Sequence, residues 1–224
     1  MRIAEIFYSV QGEGSLIGMP SVFVRTSGCN LRCSWCDTPY TSWSPEGNEI
    51  GIDAILATAA GFRAARHVVI TGGEPMIAHG IVELSERFRE RAMHITVETA
   101  GTVFTPVSCD LMSISPKLSN STPAGAFEAR HEKLRLQPEI LRQLMGAYDY
   151  QLKFVIARED DVMEARDLIA ELGAPGERVI LMPEGTAPDV LNTRGTWLAE
   201  LCKEHGFRFS PRLHVHLYGS RRGV

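Results

Sequence analysis

From residue 50 onward, short runs of apolar and β-branched residues alternate with amphipathic stretches of helical spacing, the pattern of βα units feeding a parallel sheet. The pattern predicts strands over His67–Thr71, His94–Glu98, Leu111–Ser115, Gln151–Ala157, Arg178–Met182 and Phe207–His216. Helices fall between them. Over Glu159–Leu172, the residues Val162, Ala165, Leu168, Ile169 and Leu172 recur at 3,4 spacing on one face, and Gly173 supplies a stop. A second helix is predicted over Asp189–His205, closed by Gly206. Ahead of the repeat, Ser21–Arg25 (SVFVR) reads as a first core strand and Ile3–Val10 as an extra segment at the rim. The polar piece Leu118–Pro138 has weak periodicity and reads as an irregular connection or a short insertion over one face.

Six or seven strands with intervening helices admit either a doubly wound sheet or a barrel. A full eightfold barrel needs about 250 residues, so a chain of 224 residues suits an α/β fold built as a partial βα barrel of about six parallel strands, with residues 1–224 forming one domain. In either architecture, reactive groups gather beyond the carboxyl ends of the strands. SVFVR runs into TSGCNLRC, HVVI into TGGEP, HITV into ETAG, LMSI into SPK and RVIL into MPEG. Every unusual tetrad is therefore expected on one rim.

Charge narrows the partners. The 23 basic and 27 acidic residues form no long run of one sign, so there is no footprint for a phosphate backbone and no direct nucleic-acid partner is expected. The N-terminus lacks the features of a signal peptide, and no stretch approaches 18 apolar residues, which predicts a soluble, cytoplasmic protein away from membranes. In a reducing compartment, five cysteines are not expected to form disulfides. Cys109 and Cys202 read as plain buried small residues.

The other three cysteines carry chemistry. Cys29, Cys33 and Cys36 lie within the eight residues CNLRCSWC, and thiolates select zinc, copper(I) or iron-sulfur clusters. A structural zinc site, with Asp37 or a distant histidine as fourth ligand, is the plainer alternative, but such sites pair two short cysteine knuckles and no second knuckle exists here. Ordinary ferredoxin clusters use four cysteines. Three in a tight C-x3-C-x2-C loop fit a four-iron (4Fe-4S) cluster with one iron left open to bind something else.

This loop resembles that of the radical S-adenosylmethionine (SAM) superfamily, in which SAM chelates the open iron. A second motif, Thr71-Gly72-Gly73-Glu74-Pro75, joins it. Its glycines let backbone approach a ligand, although alone the segment would be a strand-to-helix turn. The resemblance implies that Gly73 and Glu74 meet the SAM amino group and that Trp35, Cys36 and Asp37 lie against the adenosyl moiety. It also implies that Met182, Pro183, Glu184 and Gly185 sit near the nucleoside. Ser115, Pro116 and Lys117 offer a hydroxyl and a cation suited to ribose or carboxylate, or else form a solvated turn. Glu98 at a strand end is costly to bury without partners, which makes it a candidate for bonding to ribose or substrate, or for catalysis.

Within the superfamily, the segment Glu5 to Gly14 (EIFYSVQGEG), Arg25, Cys36-Asp37-Thr38 and the TGGEP, SPK and MPEG segments together resemble the 7-carboxy-7-deazaguanine synthase family of queuosine and deazapurine biosynthesis, over nearly the whole chain. The resemblance implies ring contraction of 6-carboxy-5,6,7,8-tetrahydropterin with loss of ammonia and SAM regenerated. The first 20 residues would form part of the substrate site, with Val10, Gln11, Gly12 and Thr71 touching the pterin. Arg25 would grip a carboxylate through its planar fork, or else be an exposed strand arginine. Thr38 would ligate a Mg2+ ion shared with substrate oxygens; the plainer alternative is a turn that caps the cysteine loop. A flavodoxin- or ferredoxin-type reductant and a homodimer are likewise implied. On the predicted last strand, His214 and His216 would share one face and line the pterin end or act as catalytic candidates by assisting proton removal, or else be structural or surface residues. The alternatives are an activating enzyme for a glycyl-radical protein and a non-catalytic iron-sulfur or zinc module. The first expects histidine and asparagine where Asp37 and Thr38 stand and gives the QGEG element no role.

Overall fold

Period-two alternation along the strands sorts their side chains onto two faces, and the fold follows from that sorting. The computed structural model describes residues 1–224. The elements in chain order are β1 (Arg2–Val10), β2 (Pro20–Thr26), α1 (Pro39–Ser42), β3 (Asn48–Glu49), α2 (Ile52–Ala60), β4 (His67–Gly72), α3 (Ile81–Arg89), β5 (His94–Thr99) and β6 (Leu111–Ile114). They continue with α4 (Glu128–Arg135), α5 (Pro138–Ala147), β7 (Tyr150–Ile156), α6 (Glu159–Leu172), β8 (Val179–Pro183), α7 (Pro188–His205), β9 (Arg208–Phe209) and α8 (Leu213–Tyr218). All nine strands join one sheet in the order β3-β1-β2-β4-β5-β6-β7-β8-β9. From β2 to β9 every pairing is parallel, and the sheet keeps two free edges, so it is a partial barrel.

One strand face is apolar throughout. Val22 and Val24, Val68 and Ile70, Ile95 and Val97, Met112 and Ile114, Leu152, Phe154 and Ile156, and Val179 and Leu181 all enter the main core with residues of the helices, such as Leu84, Phe88, Leu144 and Leu168. The other face carries Phe23 and Arg25, Thr71, Glu98, Ser113, Lys153 and Val155, and Met182, which line a cavity. Crossover helices after β2, β4, β6, β7 and β8 cover the first face and leave the second free, and the β5–β6 connection has no helix. Gly173 and Gly206 end α6 and α7 at φ 65° and 71°, the left-handed conformation that the sequence pattern assigns to these stops.

Three expectations need correction. The N-terminal segment is more than a rim: β1 pairs antiparallel with β2 along most of its length, and the two-residue β3 lies outside it. Leu118–Pro138 is not wholly irregular, since α4 occupies its second half; the apolar face that helical periodicity needs is short there, and His131 is the buried residue of that helix. The predicted last strand, Phe207–His216, is a strand only at Arg208–Phe209. Pro211 cannot donate to a sheet ladder, and the chain turns into α8, where His214 and His216 project about 200° apart. They do not share a face.

Phe154 lies in the middle of this core with no exposed surface. Phe154→Ala is expected to cost about 3–5 kcal/mol, measured by chemical denaturation of the metal-free chain; a cost below about 1 kcal/mol would contradict this placement of the core.

Candidate active site

The strand ends of the parallel ladder converge on a cavity of about 280 Å³. Its floor is the polar face of the sheet, and its walls are the loops that follow β1, β2, β4, β5, β6 and β8, with α8 and the C-terminal tail.

Beside it lies the cysteine loop. Cys29, Cys33 and Cys36 gather around a small apolar patch that includes Leu31 and Ala100. Burial pushes the Cys29 thiol up to about 11 and the Cys33 thiol up to about 12, so the metal-free loop holds protonated thiols that binding must deprotonate. The loop is pinned from several sides. Arg32 N–H donates to His131 Nδ1 (3.1 Å), Trp43 Nε1 donates to the Cys33 carbonyl (3.0 Å), and Ser34 N–H donates to the Ser121 carbonyl (2.8 Å).

The glycine-rich loop after β4 presses directly on this one. Gly73 N–H donates to Thr26 O (3.3 Å) and Glu74 N–H to Gly28 O (2.9 Å), which extends the β2–β4 pairing past the strand ends. A Cβ on Gly73 would collide with the Gly28 carbonyl and come within 2.8 Å of Cys29 Cβ. Glu74 is fully buried, and its carboxylate accepts from Thr99 Oγ1 (2.8 Å), Ala100 N–H (2.8 Å) and Met76 N–H (3.0 Å). Burial raises its pKa, and these bonds work against that rise. Both oxygens are thus spent on protein donors, which leaves the backbone around Gly73 as the part of the motif facing the cavity.

The remaining predicted residues divide clearly. Val10, Gln11, Gly12, Arg25, Trp35, Asp37, Thr38, Thr71, Gly73, Glu98, Ser115, Lys117, Met182, Glu184 and His214 line the cavity. Glu74, Pro116, Pro183 and Gly185 are buried behind its wall, and His216 is exposed on the far side of α8. Phe7 stacks on Phe23 across the β1–β2 ladder with ring centroids 5.0 Å apart, and two residues along, Arg25 Nε pairs with Glu5 at 3.2 Å. Lys117 Nζ sits 5.6 Å from the centre of the Trp35 ring and donates to Ser115 Oγ at 2.8 Å. Thr38 is the N-cap of α1, but its hydroxyl makes no capping bond to the helix backbone and opens to the cavity. The Gln11 amide donates to Glu98 (3.2 Å). Gly12 has no room for a side chain, because a Cβ would strike the His214 ring. Burial lowers the His214 pKa from its ordinary value, against the pull of Glu13, and so favours the neutral imidazole.

Several lining groups escaped the sequence reading. Glu13 pairs with Lys153 and, at 3.0 Å, with Arg212; Arg212 also pairs with Asp37. Burial pushes the Glu13 carboxyl up, but Lys153 and then Arg212 more than reverse this and hold it well below the usual carboxylate range. Lys153 had a visible signal, a charge alternating with Leu152 and Phe154 in an apolar strand. Arg212 had none. The tail residues Gly219–Val224 cross the cavity mouth, where Arg222 lies 3.6 Å over the Tyr40 ring and pairs with Glu5 (2.8 Å) and Glu46 (3.1 Å).

Comparison with known proteins agrees with this geometry. The family model described as Radical SAM superfamily matches residues 23–194. A 7-carboxy-7-deazaguanine synthase of Halobacterium salinarum is 45% identical over 97% of this chain and 90% of its own length. The chain belongs to the 7-carboxy-7-deazaguanine synthase family of radical SAM proteins. A Rhodopirellula baltica member is 43% identical over all of this chain and 89% of its own. The crystal structure of QueE from Escherichia coli superposes with a TM-score of 0.70 at 26% identity, covering 95% of this chain and 94% of that one. Membership brings the family's cofactors, a 4Fe-4S cluster, SAM and Mg2+. The three-thiol loop and the glycine cradle fit the first two, and the Thr38 hydroxyl, which lines the cavity and accepts a long bond from Thr41 Oγ1 (3.4 Å), fits the third. The glycyl-radical activase and the non-catalytic module are set aside by the same findings. No helix is long and apolar enough to cross a membrane.

Gly73→Ala should retain the fold, because Gly73 lies beyond the end of β4, yet lose most of its bound iron after anaerobic reconstitution, since the added Cβ meets the Gly28 carbonyl and the Cβ of Cys29 and displaces the cysteine loop. Circular dichroism with an iron assay checks this, and a variant with normal iron content would contradict it.

Proposed function

We propose that the chain is a carbon-nitrogen lyase that converts 6-carboxy-5,6,7,8-tetrahydropterin into 7-carboxy-7-deazaguanine and ammonia. The observation that carries this reading is one cavity lined by the Val10-Gln11-Gly12 turn, the Arg25 guanidinium and the Thr38 hydroxyl, directly against a three-cysteine loop.

Each group has a task that its chemistry suits. Cys29, Cys33 and Cys36 hold the cluster, and the backbone at Gly73, with Trp35, Ser115, Lys117 and Met182, receives SAM. When bound and reduced, the cluster and SAM together supply reversible hydrogen-atom abstraction next to the substrate. The first 20 residues belong to the substrate site. Gln11 and Glu98 form a donor-acceptor pair across the floor (3.2 Å), matched to the amide edge of a pterin, and the neutral His214 above Gly12 is suited to take or give a proton at that edge. Arg25 offers its fork to the substrate carboxylate, and Thr38 would offer its hydroxyl to Mg2+, a hard cation suited to polarise carboxylate oxygens. A single neutral hydroxyl holds Mg2+ weakly, so metal and substrate bind together. Electrons come from a flavodoxin- or ferredoxin-type protein.

Anaerobic incubation with the tetrahydropterin, SAM, a reductant and Mg2+ should yield a product lighter by one ammonia while SAM is conserved. SAM consumed in proportion to turnover, or no pterin product, would overturn the assignment. Arg25→Ala should raise KM for the pterin roughly 10–100-fold, the equivalent of about 1.5–3 kcal/mol for a charge-assisted bond; an unchanged KM would remove Arg25 from the substrate site.

A further inference from the structure

Three rim segments that serve different parts of the cavity are tied to a single side chain. Arg212 is 6% exposed, and each of its three guanidinium nitrogens donates a hydrogen bond. Nε donates to Glu13 (3.0 Å), in the turn after β1; Nη1 donates to the Gly185 carbonyl (2.6 Å), in the loop after β8; Nη2 donates to Asp37, immediately after the last cysteine. The second Glu13 oxygen goes to Lys153 on the floor.

As a stability device this is an expensive choice. Glu13, Lys153 and Arg212 are largely withdrawn from water, with Asp37 still exposed at the outer end of the cluster, and buried ion clusters of this kind are commonly no more stabilising than apolar side chains of the same volume. What the cluster does provide is fixed geometry. A planar fork with donors in three directions sets three distances at once, which an ammonium on a flexible stem cannot do. Gly185, at φ 147°, adopts a conformation that L side chains rarely adopt, and its carbonyl meets the guanidinium there.

We propose that Arg212 is a positioning residue that sets the spacing between the pterin subsite and the SAM subsite, by clamping the Glu13 turn and the Gly185 loop to the Asp37 end of the cysteine loop. The proposal rests on the functional reading above. Reaction at a carbon held by one segment, with hydrogen transferred to a group held by another, tolerates little error, since a misplacement of about 1 Å costs on the order of 100-fold. Loss of the clamp therefore separates two quantities that a plain loss of folded protein would reduce together. SAM is still cleaved, but the cleavage no longer leads to product.

The test compares the reconstituted parent with Arg212→Lys, which keeps the charge and loses the fork. The expected result is iron content and a SAM-induced change in the cluster spectrum equal to the parent, pterin Kd weakened, and the ratio of pterin product to free 5′-deoxyadenosine lowered at least ~10-fold. An unchanged ratio, or product and 5′-deoxyadenosine falling in proportion, overturns the clamp. If Arg212→Lys does not fold, Glu13→Gln decides, because it weakens one arm and leaves the Asp37 and Gly185 arms. A lowered ratio supports the proposal and an unchanged one overturns it. A parent that binds SAM but forms no pterin product would instead refute the functional reading, and so separates the two failures.

Discussion

The site depends on the close approach of two backbones at the end of the β2–β4 pair. Thr26 O and Gly28 O accept from Gly73 and Glu74 N–H, and nothing larger than glycine fits at residue 73. Parallel pairing carries each strand's carboxyl end to the same rim; these two bonds carry the register one step further, into the loops. The cysteine loop is therefore fixed relative to the SAM-facing backbone by the sheet itself, and side-chain packing only adds to it. Glu74 completes the weld from beneath by tying the same loop to Thr99 and Ala100 at the end of β5.

Around this fixed point the chain closes the cavity with its two ends. The N-terminal strand adds Glu5, Phe7 and the Gln11–Glu13 turn, and α8 with the tail adds Arg212, His214 and Arg222. The ends meet directly, through Leu213 N–H to the Gly12 carbonyl (2.8 Å) and Arg222 to Glu5. Glu5 is thereby shared between Arg25 inside the cavity and Arg222 at its mouth, so a carboxylate that draws Arg25 away leaves Glu5 still paired.

Most of the parallel ladder is legible in the sequence because strands buried on both faces need apolar runs, and each run here ends in residues too unusual for plain turns. The three cysteines and the TGGEP segment are equally legible, since their chemistry is local. What is not legible depends on long-range partners. HVH reads as an alternating strand, and only the preceding Pro211, together with the docking of Leu213 on Gly12, makes it a helix that separates His214 from His216. Glu74 reads as a ligand-facing acid, but its donors come from residues 76, 99 and 100, so its inward turn cannot be seen in the motif. Arg212 is one arginine among many until the fold brings Glu13 and Asp37 to it from almost 200 residues away.

The central claim is that three thiolates at this rim hold a four-iron centre with one iron open to SAM. The most direct measurement is the iron and sulfide content of the anaerobically reconstituted chain, followed by the low-temperature electron paramagnetic resonance spectrum of the reduced protein with and without SAM. The account predicts about four irons and four sulfides per chain and a spectrum that changes when SAM is added. One metal ion without sulfide, or a cluster whose spectrum ignores SAM, would contradict it.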